Sequence, residues 1–495
     1  MKNLLLLVSV IVLITGCTVS KSRYNPNKKF SPEDLQEDYE VFRNVLEESH
    51  PSLYWYTPKD SINYFFEKGA SQLKDSLTEV KFRNILSYVV SQVHCGHTSV
   101  RASKAASRYS EKTRSLVFPL NIKAWADTVM VTSNLSRRDS NISRGVLLKS
   151  LDGNPISVII DSLFKHLASD GFNLTHKYQS LSNAGVFRSM YGAIYGLKSK
   201  TPVEYLDTSG VLRKTEISLG NMAVDSARLR QVSREIRPPS KKERKKARLQ
   251  AIRNMKIDST LNTAILEVHS FANGNGLRGF FKQSFRQIRK NNIPNLIVDM
   301  RGNGGGNVVL SNLLTKYIAD APFKIADSLY AVTTKSRYKK YYDNYLLNRL
   351  FFIFFVRKKT DGLFHFKHYE NRYFKPRTKN NFNGTTYILT GGNTFSAATL
   401  FTKALIEQED VIVVGEETGG GAYGNSAWLI PDITLPNTKV RFRLPLFRLV
   451  IDKNAERGRG IRPEVEAMPT VTAIRKGEDF KMNAAFRLIK EKSKK

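Results

Sequence analysis

Two apolar runs, each ending in a turn of small residues, constrain this chain more than any other feature. The first is Asn295-Leu296-Ile297-Val298-Asp299-Met300-Arg301-Gly302-Asn303-Gly304-Gly305-Gly306. The second is Tyr387-Ile388-Leu389-Thr390-Gly391-Gly392-Asn393-Thr394-Phe395-Ser396-Ala397-Ala398-Thr399-Leu400. Each reads as a buried strand that passes through a turn into a helical pattern. With a strand over 263–268 and an amphipathic helix over 279–289, the alternation predicts an α/β core. Glycines after a strand let several backbone N–H groups converge on one anion. A serine where a strand turns into a helix is exposed beside the helix N–H groups. An anion cradle and a nucleophile are the two parts that acyl transfer needs.

Two further segments follow the same order, Val414-Gly415-Glu416-Glu417-Thr418-Gly419-Gly420 and Gly460-Ile461-Arg462-Pro463-Glu464-Val465. The four together resemble the C-terminal processing (tail-specific) peptidases and the tricorn core protease group. That family follows a strand with an Asp-x-Arg-x-Asn-x-Gly-Gly turn and places its catalytic serine in Thr-x-Ser-Ala-Ala/Ser. The resemblance implies a serine-type peptidase with a crotonase/ClpP-like spiral α/β core, acting on proteins or peptides without a metal or cofactor. Ser396 is then the nucleophile. The oxyanion donors are the N–H of Ala397 and one from Gly304–Gly306, best Gly305, while Asp299 and Arg301 brace the loop.

A serine hydroxyl needs a base. One branch of the family supplies a lysine in Thr-x-Gly-Lys-Gly, but Gly421 stands at that place here, and no lysine occurs between Lys403 and Lys439. The tricorn-like branch supplies a histidine from Asp-Gly-His-Thr, which Gly96-His97-Thr98 resembles, with Cys95 for the Asp and Gly96 where that branch carries a serine beside its histidine. His97 is the expected base and His94 its competitor. The charged partner expected for the imidazole is Glu456. It lies one residue out of register, with Arg457 at the simplest match; Glu416 and Glu417 are alternatives. His94-Cys95-x-His97 could also suggest zinc, but no Cys-x-x-Cys or His-Glu-x-x-His accompanies it. Cys95 as nucleophile is a further rival. A non-catalytic ligand- or peptide-binding protein on the same fold, the situation of the photoreceptor retinoid-binding proteins, is the alternative function.

The rest of the chain supplies context. Lys2, the apolar stretch Leu4 to Ile14 and Ile14-Thr15-Gly16-Cys17 read as a signal peptide ending in a bacterial lipobox, with Cys17 lipidated. The expected location is the bacterial cell envelope, lipid-anchored and facing the periplasm or the outer membrane. Cys95 is the other cysteine, so no intrachain disulfide is expected in the mature protein. The net charge is +34. The export signal argues against nucleic acid, and the charge reads as a surface that meets anionic lipid. The expected division is a signal peptide over 1–17, a tether over 18–30 and a helical region over 31–112. A PDZ-like module over 113–222, carrying Leu151-Asp152-Gly153-Asn154-Pro155, and a basic linker over 223–257 lead into the protease core over 258–495. The core carries an aromatic and basic insertion over 323–380. Within it, Leu350 to Val356 is expected as a buried strand, with a cleft wall or membrane-contacting lid as the alternative.

Overall fold

The computed structural model describes residues 24–113, 116–136, 141–221 and 239–494. Cys17 and the expected signal peptide lie outside these residues. The N-terminal helices start where the sequence puts their caps. Ser31 accepts the Asp34 N–H at 3.2 Å and Pro32 takes the first turn of the helix Pro32–Ser49, where a missing N–H costs nothing. Helices Lys59–Ala70 and Glu79–Ser91 follow. Their apolar faces join the same hydrophobic cluster as the C-terminal core. Phe42 meets Phe442 edge-on at 5.1 Å. The fully buried Asp38 accepts the Asn437 and Thr438 N–H groups at 2.7 and 2.8 Å. This packing delivers the segment around His97 to the core, and Ser99–Arg101 pairs there with Arg441–Arg443.

The middle segment has its own core. Its antiparallel strands run in the spatial order Leu212–Ser218, Lys200–Leu206, Leu147–Leu151, Thr128–Asn134 and Leu120–Trp125. Asp152 and Gly153, both at positive φ, turn the chain back after Leu151, and the helix Ile156–Phe164 buries Ile159, Ile160 and Leu163 against the sheet.

The C-terminal core is a sheet of strands β1 (Arg253–Asp258), β2 (Thr263–Val268), β3 (Asn295–Asp299), β4 (Thr385–Thr390), β5 (Val411–Gly415) and β6 (Val465–Glu466) in that spatial order. All neighbours are parallel except β1 with β2. Both faces are covered, so β3 and β4 read as nearly continuous apolar runs. The linker boundary is corrected here, because β1 falls within the expected linker 223–257 and the core begins at Arg253. Helices α1 (Leu277–Lys290), α2 (Val308–Ile318), α3 (Tyr345–Phe355), α4 (Ala397–Leu405) and α5 (Phe480–Lys492) complete the core.

The expected buried strand over Leu350–Val356 is a helix, α3, and most of it is exposed. A short apolar run has no periodicity that separates strand from helix. Here Phe352 stacks on Phe447 at 5.2 Å and Phe351 packs edge-on against Phe366 at 5.0 Å. The insertion is also no separate unit, since its strand Ser328–Ala331 pairs with Phe447–Val450.

Candidate active site

Strand β4 ends at Thr390 and α4 begins at Ala397, with Ser396 as the N-cap residue between them. Ser396 has φ 54° and ψ −122°. Few non-glycine residues tolerate such angles, and they place a side chain at the apex of a strand-to-helix elbow. The hydroxyl is half-buried and forms no hydrogen bond among the described residues. The elbow is held from below. Thr394 Oγ1 donates to the Met300 carbonyl at 2.9 Å, the Phe395 N–H donates to the Asn303 carbonyl at 3.0 Å, and Ser311 Oγ donates to the Ala397 carbonyl at 2.7 Å.

The loop after β3 is stitched by its own side chains. Asp299 accepts Arg301 Nε at 2.9 Å, and Arg301 also pairs with Asp479. Asn303, fully buried, donates to the Val268 carbonyl at 2.9 Å and accepts the Gly305 N–H at 2.9 Å. This corrects the assignment of Gly305, whose N–H is engaged and unavailable to an oxyanion. The Gly306 and Ala397 N–H groups have no acceptor among the described residues, and both residues line the same cavity as Ser396. Gly305 serves by its missing side chain. At φ +97°, a Cβ there would lie 2.7 Å from Ser396 Cβ and 2.9 Å from Ala397 N.

The other two motifs join each other beside the elbow. Ile461 N–H donates to Thr418 Oγ1 at 2.9 Å and Gly460 N–H to Glu417 at 2.6 Å. Gly421 leaves no room for the lysine of the other family branch, because even a Cβ would come within 2.6 Å of the Gly424 carbonyl. Glu416 and Glu417 are buried or nearly so, and both are committed elsewhere. Glu416 pairs with Lys481 at 2.5 Å and Glu417 with Arg459 at 2.7 Å.

His97 is brought next to the elbow through Phe395, whose ring lies 4.9 Å from its own and also stacks with His176 at 4.8 Å. Gly96 makes this possible, since a Cβ would meet Phe395 Cζ at 2.5 Å. Both ring nitrogens of His97 are buried without a partner among the described residues, so no hydrogen bond joins it to Ser396. Burial, helped by the nearby Arg443 and His176 charges, lowers its pKa to about 3. Glu456 is not brought to His97. It is largely exposed and pairs with Arg462 at 3.1 Å, while Arg457 lies over the Tyr423 ring at 4.8 Å. His94 is held apart, with Nδ1 bonded to the Gly171 carbonyl at 3.0 Å. Burial pushes the Cys95 thiol up to about 11, which keeps it protonated at neutral pH and unsuited to attack.

Sequence reasoning missed Asp170. Its buried carboxylate accepts the Gly96 N–H at 2.9 Å and the Gly421 N–H at 3.3 Å, tying the histidine turn to the turn beside the elbow. Burial pushes its carboxyl up to about 7 against those two bonds. A raised carboxyl makes stability fall as pH rises from about 4 toward 7, and a lowered histidine makes it rise from about 3 to 6.5. The two slopes oppose between about pH 4 and 6.5. Asp170→Asn removes one of them. Its unfolding free energy, measured by denaturant titration across that range, is expected to climb with pH relative to wild type, by up to about 1.4 kcal/mol per pH unit. Parallel profiles for the two proteins would refute the assignment.

Above Ser396 lies a cavity of about 430 Å³, walled mainly by apolar groups including Val308, Phe351, Phe366, Trp428 and Leu449. Asn425 Oδ1, on the same wall, is a buried acceptor with no partner among the described residues. Trp428 and Leu429, also lining it, have φ 61° and 35°, strain of a kind that concentrates at ligand sites.

The architecture is similar to that of mature CPAF, at 14% identity over 92% of this chain and 97% of that one, with a TM-score of 0.63. It is equally similar to mature CPAF complexed with lactacystin, at 14% identity over 92% and 98% of the two chains and the same TM-score of 0.63. At such identities the likeness is one of fold. The photosystem II D1 C-terminal processing protease aligns over 90% of this chain and 98% of that one at 12% identity, but its TM-score of 0.39 is too low to add to the argument. No curated protein matches the chain. Residues 262–467, which hold the glycine loop, the serine elbow and both later motifs, match the model of peptidase family S41. By that match residues 262–467 form a peptidase family S41 domain, and the chain is a serine-type peptidase.

Proposed function

We propose that the protein is an exported, lipid-anchored endopeptidase that cleaves proteins or peptides through Ser396 and His97. The observation that carries this reading is the Ser396 elbow, set at the N-terminus of α4 against the glycine loop and open to an apolar cavity. Ser396 Oγ attacks the peptide carbonyl carbon and His97 takes its proton. The oxyanion is held by the Ala397 and Gly306 N–H groups. Collapse expels the amine, which receives the proton from His97, and water then releases the acyl group by the same steps. His97 is neutral at neutral pH, as a base must be. Catalytic hydrogen bonds in unliganded sites often form only when substrate binds, which accommodates the open Ser396–His97 contact. The apolar cavity favours an apolar side chain next to the cleaved bond, and Asn425 Oδ1 can accept a substrate N–H. The middle segment, with its Asp152-Gly153 turn and following helix, is read as a PDZ-like module that presents the substrate.

A fluorophosphonate probe tests the nucleophile. Wild type is expected to be labelled at Ser396, and Ser396→Ala to be silent. No labelling, together with no turnover of a broad peptide library by folded protein at neutral pH, would favour the binding-protein alternative.

The anchor is tested separately. Because Cys17 follows Ile14-Thr15-Gly16, Cys17→Ser is expected to abolish palmitate incorporation and to release most of the protein from the membrane fraction. Wild type that takes up no palmitate would end the lipoprotein reading.

A further inference from the structure

Helix α3 turns an apolar stripe away from the protein. Leu346, Leu347, Leu350, Ile353 and Phe354 recur at the spacing of one helical face, and their exposures run from 41% to 70%. Phe355 beside them is 58% exposed. The opposite side, Phe351 and Phe352, is fastened to Phe366 and Phe447, so the stripe is presented on a fixed support. Monomeric proteins rarely leave such a contiguous surface in water. Its surroundings are cationic. Lys339 and Lys340 precede the helix, Arg357, Lys358 and Lys359 follow it, and all five are exposed. From 335 to 379 the chain holds thirteen Lys and Arg against three Asp and Glu.

We propose that α3 is an interfacial helix that docks the protease core onto an anionic lipid surface. The apolar stripe enters the boundary between headgroups and acyl chains, and the lysines and arginines at its two ends pair with lipid phosphates. With 11 residues it is too short to span, and no helix among the described residues is long and apolar enough to cross a membrane. A second copy of the chain could cover an apolar stripe, but it would bring the same cations against one another. An anionic bilayer satisfies both the stripe and its charged ends. Since Phe351 on the inner side lines the cavity above Ser396, docking would hold that cavity close to the membrane. The proposal does not depend on the peptidase reading.

The test uses the chain from Thr18 onward, which keeps every described residue and lacks the lipidated cysteine. It is floated with vesicles of phosphatidylcholine alone or mixed with phosphatidylglycerol. Wild type is expected to float with the anionic vesicles. Leu347→Ser/Phe354→Ser is expected to bind them at least tenfold less. Lys339→Glu/Lys358→Glu is expected to lose affinity that depends on the anionic lipid. Both variants should keep wild-type hydrolysis of a soluble peptide, because none of the four residues lines the cavity. Absence of wild-type binding, or unaltered binding by the Leu347/Phe354 variant, would overturn the proposal. So would a wild-type dimer in sedimentation that the same variant dissolves, which would assign the stripe to a second copy of the chain.

Discussion

Ser396→Ala is expected to lower peptide hydrolysis by about 10⁶-fold, and His97→Ala by a similar factor. The double variant should be no worse than either single one. A nucleophile and its base act as a unit, so removing one already forfeits what the other contributes. Single-turnover rates on one peptide with all three variants measure this. Ser396→Ala should keep the wild-type melting temperature, because the hydroxyl is half-buried and makes no hydrogen bond among the described residues. His97 is less innocent, since its ring packs on Phe395. His97→Gln, which fills similar space, controls for that loss. The pH profile adds a second check. With the imidazole pKa lowered by burial, the acid limb of kcat/KM should fall below the ordinary histidine value of about 6.5. Substantial activity in His97→Ala would remove His97 from the role.

The parts of the site carried by contiguous residues were legible in the sequence. The strand, glycine turn and helix around Asn303 to Gly306 and around Thr394 to Ala398 are local structures, and their chemistry follows from residue type. Packing between distant segments was not legible. Asn303 could be recognised as a loop residue, but only the fold shows that its side chain takes the Gly305 N–H and leaves that of Gly306 free. Asp170 lies in no motif, and its place against Gly96 and Gly421 arises from three chain segments meeting. Glu456 shows the reverse error, since nearness to a motif in sequence did not bring it near His97. Helix α3 was misread for a different reason. A run of aromatic and aliphatic residues without alternation fits a strand or a helix equally, and its exposure contradicts the usual inference from hydrophobicity to burial.

Gly305→Ala is expected to lower both activity and stability, and Gly304→Ala neither. The neighbouring glycines have the same composition and different geometry. A Cβ on Gly304 meets nothing within 4 Å, whereas one on Gly305 runs into Ser396 Cβ, the Ala397 nitrogen and the Phe395 carbonyl. Those obstacles are backbone or the first side-chain atom of the nucleophile, so no rotamer change relieves them. Gly305 also sits at φ +97°, where an L side chain adds strain of about 1–3 kcal/mol. The loop and the elbow must separate by several tenths of an ångström, which moves Gly306 N–H away from Ala397 N–H. Losing one oxyanion donor costs about 10²–10³ in rate, and misplacing the pair should cost at least that in kcat, with a smaller change in KM. Thermal melts and steady-state kinetics on the two alanine variants decide the matter. Equal behaviour of Gly304→Ala and Gly305→Ala would mean that the elbow does not depend on close approach of the glycine loop, and the Gly306–Ala397 cradle would have to be abandoned.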